Sequence, residues 1–269
     1  MIFPSTISII IGLIFGITIA ALAYIVHSLS GSGAIAAALL GTIVFGVGGI
    51  PYTTILLVFF ISSSLLSRLF KGTKKGVSEI FSKGSRRDVW QVLANGGAAG
   101  LLALMSAIFV EQTIFWWLFC ASLAAANADT WATELGVLSP TRPRLITTLE
   151  PVDMGASGGI TLIGTVSALA GAGFIAIVVA FFTPSLSMML LVTGAGLVGS
   201  LVDSALGASI QGIFYCDTCN QETEKHPRHG CGNATRLIRG WDWLNNDWVN
   251  TACTVSAPVL LGMIWLLLS

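Results

Sequence analysis

Residues 6–27, TISIIIGLIFGITIAALAYIVH, form an apolar run without a charged residue. A helix of about 20 such residues crosses the hydrocarbon core of a bilayer. Seven further runs follow, near residues 33–50, 52–70, 91–110, 114–136, 158–182, 187–211 and 248–268. Only 10% of the chain is charged, whereas soluble domains carry about 25%. We therefore predict an all-α integral membrane protein, a polytopic bundle of seven or eight transmembrane helices with cytoplasmic loops, forming a single domain over residues 1–269.

The basic residues indicate how these helices are oriented. All 13 Lys and Arg residues fall within 68–88, 138–156 and 212–247. Basic loops of membrane proteins stay on the cytoplasmic side. Eight spans place these three segments on one face, which predicts a multi-pass protein of the cell's inner (plasma) membrane with its active site on the cytoplasmic side. The N-terminus lacks the basic region of a secretory signal and is expected to be the first span, while the Gly-rich run 33–50 could instead be re-entrant.

The polar chemistry begins at the end of the fifth span, in the stretch 126–136, ANADTWATELG. At 100° per residue its polar side chains occupy one arc of roughly 160° on a helix. They are Asn127, Asp129, Thr130, Thr133 and Glu134. Carboxylate, amide and hydroxyl oxygens suit Mg²⁺. The simpler interpretation is a helix end that faces water and makes some hydrogen bonds to its neighbours.

The seventh span carries a second acidic position, Asp203, within GLVGSLVDSALGASIQ at 196–211. Ionisable residues inside a membrane are costly and mark functional sites by default. Glycines on the same stripe let a backbone or a ligand approach closely. We expect a metal ion or a hydrogen-bonded network to be the partner of Asp203.

Further polar residues are predicted at the same depth, at the starts of the fourth, sixth and eighth spans. They are Asn95, then Ser157, Gly158 and Gly159, and finally Asn246, Asp247 and Asn250. Gly-rich backbone that leads into a helix N-terminus offers N–H groups to an anion. Such loops also serve simply as turns, and the chain has no Walker A motif.

The basic segment 68–88 contains seven Lys and Arg residues and two acidic residues. An anchor beside anionic lipid explains most of this charge. The sharper alternative is a share in binding a phosphorylated substrate, with Arg86 and Arg87 nearest to the following helix.

The cytoplasmic loop 212–247 contains a C-x2-C pair, a third cysteine and two histidines. This spacing suits a tetrahedral zinc site with three Cys ligands and one His. The predicted ligands are Cys216, Cys219, Cys231 and His229, with His226 as the alternative. Such a Zn²⁺ ion would be structural, because the loop has little apolar core of its own. The alternative is a reduced loop without metal.

Taken together, these motifs resemble the domain-of-unknown-function-92 family (the transmembrane protein 19 / phytyl-phosphate kinase family). The resemblance covers the chain from about residue 30. The stretches that carry it are QVLANGG at 91–97, NADTWATELG at 127–136, GASGGIT at 155–161, GSLVDSALGASIQ at 199–211 and NNDWVN at 245–250.

The resemblance implies a membrane kinase that uses CTP, or another nucleoside triphosphate, with Mg²⁺. Its acceptor would be an isoprenoid (phytyl or prenyl) monophosphate, converted to the diphosphate. The matching acidic positions, expected to be catalytic, are Asp129, Glu134, Asp203 and Asp247, the first three holding Mg²⁺. Nucleotide and phosphate binding is expected from Asn95, Asn127, Thr130, Thr133, Arg142, Arg144, Ser157, Gly158, Gly159, Asn246 and Asn250.

Phosphoryl transfer requires mainly in-line positioning and neutralisation of charge. A monophosphate acceptor is already charged at neutral pH and needs no strong base, which mildly favours it over an alcohol. The alternatives are a prenyl alcohol kinase, a CTP-dependent cytidylyltransferase with the same Mg²⁺–CTP site, and a transporter. Transporters place their sites near the midplane between repeated halves, and no internal repeat is evident here. The expected partners are the nucleotide, the lipid and the membrane, with no nucleic acid.

Overall fold

The described part of the chain folds into a bundle of seven α-helices with small β-sheets at one end. It is known from a computed structural model that describes residues 6–70, 72 and 86–268. The helices are α1 (Thr6–Ile25), α2 (Gly31–Leu69), α3 (Val89–Ile108), α4 (Ile114–Gly136), α5 (Leu162–Ala180), α6 (Leu186–Ser209) and α7 (Asn246–Leu268). Six of them, all except α4, are long and apolar enough to cross a membrane. The predicted all-α membrane fold is confirmed.

Helix α4 lies at the centre of the bundle, in contact with α2, α3, α5, α6 and α7. Every residue from Phe119 to Ala128 is buried. Most of them are small, which suits close packing of membrane helices. The surrounding helices shield α4 from lipid, and so it can carry Asn127, Asp129 and Glu134, which make it less apolar than its neighbours.

Helix α2 contains two of the predicted spans and folds back on itself. Arg87 joins its two ends, because its carbonyl oxygen accepts from Ser30 N at 2.9 Å while its Nη2 donates to Ser63 Oγ at 3.0 Å. A straight helix would separate Ser30 from Ser63 by about 50 Å. The break is at Gly49, whose φ of 60° and ψ of −148° are not helical. The first half of α2 is therefore a full antiparallel helix beside the second half.

The polar segments between the helices meet on one face of the bundle. Strands β1 (Arg144–Leu145) and β2 (Gly159–Ile160) pair antiparallel between α4 and α5. Strands β3 (Ile213–Cys216), β4 (Gln221–Thr223) and β5 (Arg236–Arg239) form a three-stranded antiparallel sheet between α6 and α7, with β3 in the middle. The cysteine loop 212–247 therefore has its own sheet, which the sequence pattern did not predict.

The structure differs from the prediction at the start of α5, and it leaves most of the predicted basic segment undescribed. Helix α5 begins at Leu162 rather than near residue 158, because Gly159 and Ile160 pair with β1 and Thr161 caps the helix by accepting from Gly164 N. Most of the basic segment 68–88, namely residue 71 and residues 73–85, lies outside the described residues, and so its predicted role as a lipid anchor does too.

Candidate active site at the polar face

The two intramembrane aspartates come together where α4 and α6 run in the same direction. Gly199 of α6 packs on Ala125 of α4 so closely that a Cβ on the glycine would lie 2.6 Å from the Ala125 Cβ. One turn further along each helix stand Asp129 and Asp203. These carboxylates are near enough to interact electrostatically, and Glu224 from the cysteine loop interacts with Asp203 as well.

The surroundings of Asp203 give the strongest reason to expect a bound cation. Its Oδ2 atom is buried and has no hydrogen-bond partner among the described residues. Burying a carboxylate oxygen without a hydrogen bond or a counter-charge is costly. Two further carboxylates beside it increase that cost by repulsion. The arrangement therefore fits a cation held by Asp203 and Asp129, with Glu224 adjacent, and Mg²⁺ prefers such oxygen ligands.

A hydrogen-bonded chain ties the cysteine loop to this acidic pair. Gln211, just beyond α6 and 1% exposed, donates from Nε2 to Glu224 Oε1 at 3.0 Å. Its Oε1 accepts from Ser157 Oγ at 2.6 Å. The side chain of Gln211 thus holds the Gly-rich loop and Glu224 in fixed positions at the end of α6.

Arg239 of β5 lies against the end of α6 and the Gly-rich loop. Its Nη2 donates to Ser157 O and to Gly207 O, each at 3.3 Å. Gly207 lies one turn after Asp203 on α6. The Nε atom of Arg239 is buried and has no hydrogen-bond partner in the described part of the chain. A guanidinium at this point is suited to a phosphate oxygen.

The Gly-rich loop 155–159 packs against the end of α6 and does not lead directly into a helix. A Cβ on Gly158 would lie 2.3 Å from Ala208 N, and its φ is +83°, so that only glycine fits. The N–H of Gly159 donates within the loop, to Ala156 O at 3.0 Å. The structure thus shows this loop as a tight connection that presents Ser157, and its predicted anion binding through helix N–H groups lacks the expected geometry.

The arginines expected to neutralise phosphate lie further out. Arg142 is exposed, and Arg144 Nη1 donates to Leu149 O at 2.7 Å within its own loop. Arg239, by contrast, contacts α6 itself, the helix that carries Asp203. Arg142 and Arg144 therefore stay predictions as phosphate ligands.

The predicted polar arc of α4 divides between different neighbours. Asn127 is fully buried, accepts from Ser62 Oγ at 2.9 Å and donates to Gly171 O at 2.8 Å, and so its amide links α2, α4 and α5. Thr130 Oγ1 donates to Ala126 O in its own helix, while Thr133 is exposed. The simpler interpretation, interhelical hydrogen bonding, thus describes the Asn127 side chain.

Glu134 also faces α2. Its Oε1 accepts from Ser67 Oγ at 2.7 Å, and the carboxylate is 7% exposed. Arg87 lies near enough to interact with it electrostatically. Glu134 was predicted to share the Mg²⁺ site with Asp129. In the structure its carboxylate instead faces Ser67 and Arg87, on the other side of α4.

The polar start of α7 lies near the same pair of aspartates. Cys253 donates from Sγ to Ala125 O at 3.7 Å, level with the contact between α4 and Gly199. One turn closer to the polar face is Asn250, followed by Asp247 and Asn246, all partly buried. Asn245 Oδ1 accepts from Asp247 N at 3.0 Å and so caps the helix. Asn95, on α3, instead donates to Gln91 O at 2.9 Å and lines an apolar cavity.

The cysteine loop contains a second candidate metal centre. The ligand atoms of Cys216, Cys219, His229 and Cys231 all lie within 4.8 Å of one another. Cys216 Sγ is 3.6 Å from Cys231 Sγ, and His229 Nδ1 is 3.4 Å from the same sulfur. Zn–S bonds of about 2.3 Å in a tetrahedron require sulfur atoms about 3.8 Å apart. The cluster therefore fits a four-coordinate metal ion.

Hydrogen bonds within the cluster shift the pKa values of two of its thiols in opposite directions. Hydrogen bonds from Asn233 N–H and from His229 lower the pKa of Cys231 to about 6, whereas the hydrogen bond with Cys231 raises the pKa of Cys219 to about 11. The thiolate is the metal-binding form. At neutral pH Cys231 therefore already carries a negative charge.

The structure distinguishes the two histidines. His226 stacks on Phe214, with ring centroids 4.3 Å apart, and lies outside the group of four ligands. His229 is 5% exposed and its Nε2 meets the Gln221 amide at 3.1 Å. A partner on the second ring nitrogen is typical of a ligating histidine. His229 is accordingly the better ligand.

Three charged residues near the acidic pair and α2 were absent from the predicted site, namely Glu224, Arg239 and Arg68. Glu224 and Arg239 come from a loop whose cysteines suggested a separate structural role. Next to Arg239, Gly240 has a φ of +74°, and a Cβ there would lie 2.0 Å from Gln211 O, so that only glycine fits.

The bundle and its six apolar helices define a multi-pass membrane protein that brings two aspartates together at one end of α4 and α6. The chain belongs to the family described as integral membrane protein DUF92, whose model matches residues 14–257. The predicted family is thereby confirmed.

Individual relatives agree with this assignment. Protein PGR of Arabidopsis thaliana is 36% identical over 88% of this chain and 91% of its own length. An uncharacterized membrane protein of Methanocaldococcus jannaschii is 36% identical over 67% of this chain and 74% of its own. Protein VTE6, chloroplastic, of Arabidopsis thaliana is 26% identical over 84% of this chain and 62% of its own. No solved structure matches the chain.

Proposed function

We propose that this protein is a Mg²⁺-dependent phosphotransferase that converts an isoprenoid monophosphate to its diphosphate, with CTP as the favoured donor. The buried, unpartnered Oδ2 of Asp203 beside Asp129 carries the proposal. A carboxylate pair at the end of two membrane helices has little use without a cation. The family resemblance supports the isoprenoid acceptor and CTP.

Asp129 and Asp203 would hold the Mg²⁺ ion, and Glu224 would lie beside it. When bound, the ion supplies charge neutralisation for the triphosphate. Arg239 would contact a phosphate oxygen from the side of α6, with Ser157 adjacent. The asparagines at the start of α7, Asn246 and Asn250, are proposed to bind further oxygens or the base, with Asp247 contributing charge. Glu134 is also proposed as a Mg²⁺ ligand, with less support than the aspartates. Its carboxylate accepts a hydrogen bond from Ser67 and interacts electrostatically with Arg87.

The proposed transfer balances without a strong base. An oxygen of the acceptor monophosphate forms a bond to the γ-phosphorus of CTP, and the bond from that phosphorus to the β–γ bridging oxygen breaks. CDP leaves with the electron pair, and the acceptor becomes a diphosphate. The acceptor phosphate carries about 1.5 to 2 negative charges at pH 7, so its oxygen is nucleophilic as it stands.

The site is proposed to face the cytoplasm. All 13 basic residues belong to the sequence segments 68–88, 138–156 and 212–247. Lys and Arg favour the cytoplasmic side of a bilayer, where nucleoside triphosphates are supplied. A lipid acceptor would reach the site laterally from the inner leaflet.

The Cys/His cluster is proposed to hold a structural Zn²⁺ ion through Cys216, Cys219, His229 and Cys231. Their spacing in the structure supports this assignment. The ion would fold the loop that carries Glu224 and Arg239.

The test uses the purified full chain with Mg²⁺ and CTP labelled at the γ-phosphate, against matched prenyl alcohols and prenyl monophosphates. Label in a prenyl diphosphate, with release of CDP, is the expected result. Label in pyrophosphate together with a CDP-lipid would show cytidylyl transfer, and label in a monophosphate would show an alcohol kinase. Either of these, or no turnover with any nucleoside triphosphate, would contradict the proposal.

A further inference from the structure

An apolar cavity of about 80 Å³ lies between α1, both halves of α2 and α3. Its walls are mainly aliphatic and aromatic, with Phe15, Leu40, Leu56 and Phe60 among them. The fold-back of α2 creates this space, because the halves diverge around it. A partly open apolar cavity in the membrane is suited to a hydrocarbon chain.

One charged side chain, Arg87, lines this cavity at its polar end. Its Nη2 donates to Ser63 Oγ at 3.0 Å, and its guanidinium lies 5.8 and 5.6 Å from the ring centres of Phe59 and Phe60. Burial lowers the pKa of Arg87 to about 10, and Glu134 opposes that shift. Arg87 is therefore still protonated at neutral pH.

A second cavity, of about 230 Å³ and polar, adjoins the first at Arg87. Its walls include two guanidiniums, one imidazole and three hydroxyls: Arg68, Arg87, His27, Ser28, Ser64 and Ser67. Among the described residues this lining contains no carboxylate, and Glu134 reaches it from behind, accepting from Ser67 Oγ at 2.7 Å. Arginines combined with hydroxyl donors recognise phosphate. Arg87 thus stands where an anion-binding space meets an apolar one.

We propose that the two cavities together form the site of a single-chain isoprenoid monophosphate, with its phosphate between Arg68 and Arg87 and the start of its chain in the apolar cavity. The assignment rests on the proposed function, because this lipid is the acceptor of that reaction. Arg68 is held at the polar cavity because its Nη2 donates to Ser28 Oγ at 2.9 Å and to Val26 O. Glu134, which interacts electrostatically with Arg87, follows Asp129 by about 7.5 Å along α4.

The test is a binding measurement without Mg²⁺ or nucleotide, so that it does not depend on phosphotransfer. The full chain in phosphatidylcholine nanodiscs is titrated with farnesyl monophosphate and with farnesol. We expect the phosphate to bind at least about tenfold more tightly than the alcohol. Arg87→Gln should weaken its binding by about tenfold or more, whereas Arg228→Gln, at an exposed arginine of the cysteine loop, should change it by about twofold at most. Equal binding of the alcohol, or unchanged binding in Arg87→Gln, would overturn the proposal.

A second measurement needs no substitution and stands if Arg87→Gln fails to fold. A photoreactive analogue of farnesyl monophosphate is crosslinked to the unsubstituted chain, and the labelled peptides are mapped. Labels on the cavity-lining residues Leu56, Leu57 and Phe60 are expected. Labels confined to α6 and α7, or displacement by phosphatidic acid as effective as by farnesyl monophosphate, would contradict the site.

These results separate the two proposals. Specific binding that responds to Arg87→Gln, in a protein that transfers no phosphate, retains the lipid site and removes the kinase. Phosphotransfer together with binding that ignores Arg87 retains the kinase and removes this site.

Discussion

Gln211 Nε2 donates to Glu224 Oε1 at 3.0 Å and so joins the end of α6 to the cysteine loop. Glu224 also interacts electrostatically with Asp203, which lies on α6. The loop is therefore a wall of the acidic site as well as a candidate metal centre. Substitutions in the loop should therefore change the rate of the proposed reaction.

Glu224→Gln removes one negative charge beside the proposed Mg²⁺ ion and keeps the size of the side chain. We expect the Mg²⁺ concentration for half-maximal activity to rise by about tenfold, because a neighbouring carboxylate helps to hold the ion. The matched control is Glu222→Gln, an exposed position on β4 two residues earlier in the chain. Equal Mg²⁺ requirements in both variants would remove Glu224 from the site.

Asp203→Asn should raise thermal stability when Mg²⁺ is absent. The substitution removes the charge from a buried carboxylate whose Oδ2 has no hydrogen-bond partner in the described structure. Relief of such a charge is worth about 1–3 kcal/mol. Thermal unfolding in EDTA measures the difference, and a lower melting temperature would show that the Asp203 carboxylate is well stabilised without a cation.

The sequence predicted the bundle and its polar face more completely than the partners of each polar residue. The angle of Asp129 around α4 follows from the helical repeat, but the neighbour it meets depends on packing of Ala125 on Gly199. The same reasoning placed Asn127 and Asp129 on one arc, while the structure divides them between α2 and α6.

Contacts between residues far apart in the sequence were harder to predict. Nothing in the spacing of cysteines shows that Glu224 reaches Gln211, because that contact depends on how the three-stranded sheet docks on α6. The prediction of two spans implied that this part of the chain reverses direction. The structure shows that the helical backbone of α2 is interrupted at Gly49.

The two histidines of the cysteine loop give a test of the zinc assignment. His229→Ala should lose most of its bound zinc and unfold at a lower temperature, because structural zinc contributes to folding. His226→Ala should keep one zinc ion per chain, since His226 stacks on Phe214 outside the cluster. Zinc content by mass spectrometry decides the matter, and loss of zinc from His226→Ala alone would reverse the assignment.

Gly158→Ala should destabilise the polar face. The new Cβ would lie 2.3 Å from Ala208 N at a residue with φ of +83°, which should cost at least about 2 kcal/mol. Gly232→Ala is the control, because it has a φ of +88° but no atom within 4 Å of its Cβ position; its cost should be about 1 kcal/mol. Equal unfolding temperatures would mean that the loop does not pack on α6 as described.

The central claim is that Asp129 and Asp203 bind the cation that supports phosphotransfer. Its most direct test compares the rate of prenyl diphosphate formation, from labelled CTP and a prenyl monophosphate, in Asp129→Asn, Asp203→Asn and Glu111→Gln. Glu111 is exposed in the turn before α4. We expect each aspartate variant to lose activity by roughly 100-fold or more while remaining folded, and Glu111→Gln to match the unsubstituted protein. Substantial turnover in either folded aspartate variant would contradict the account.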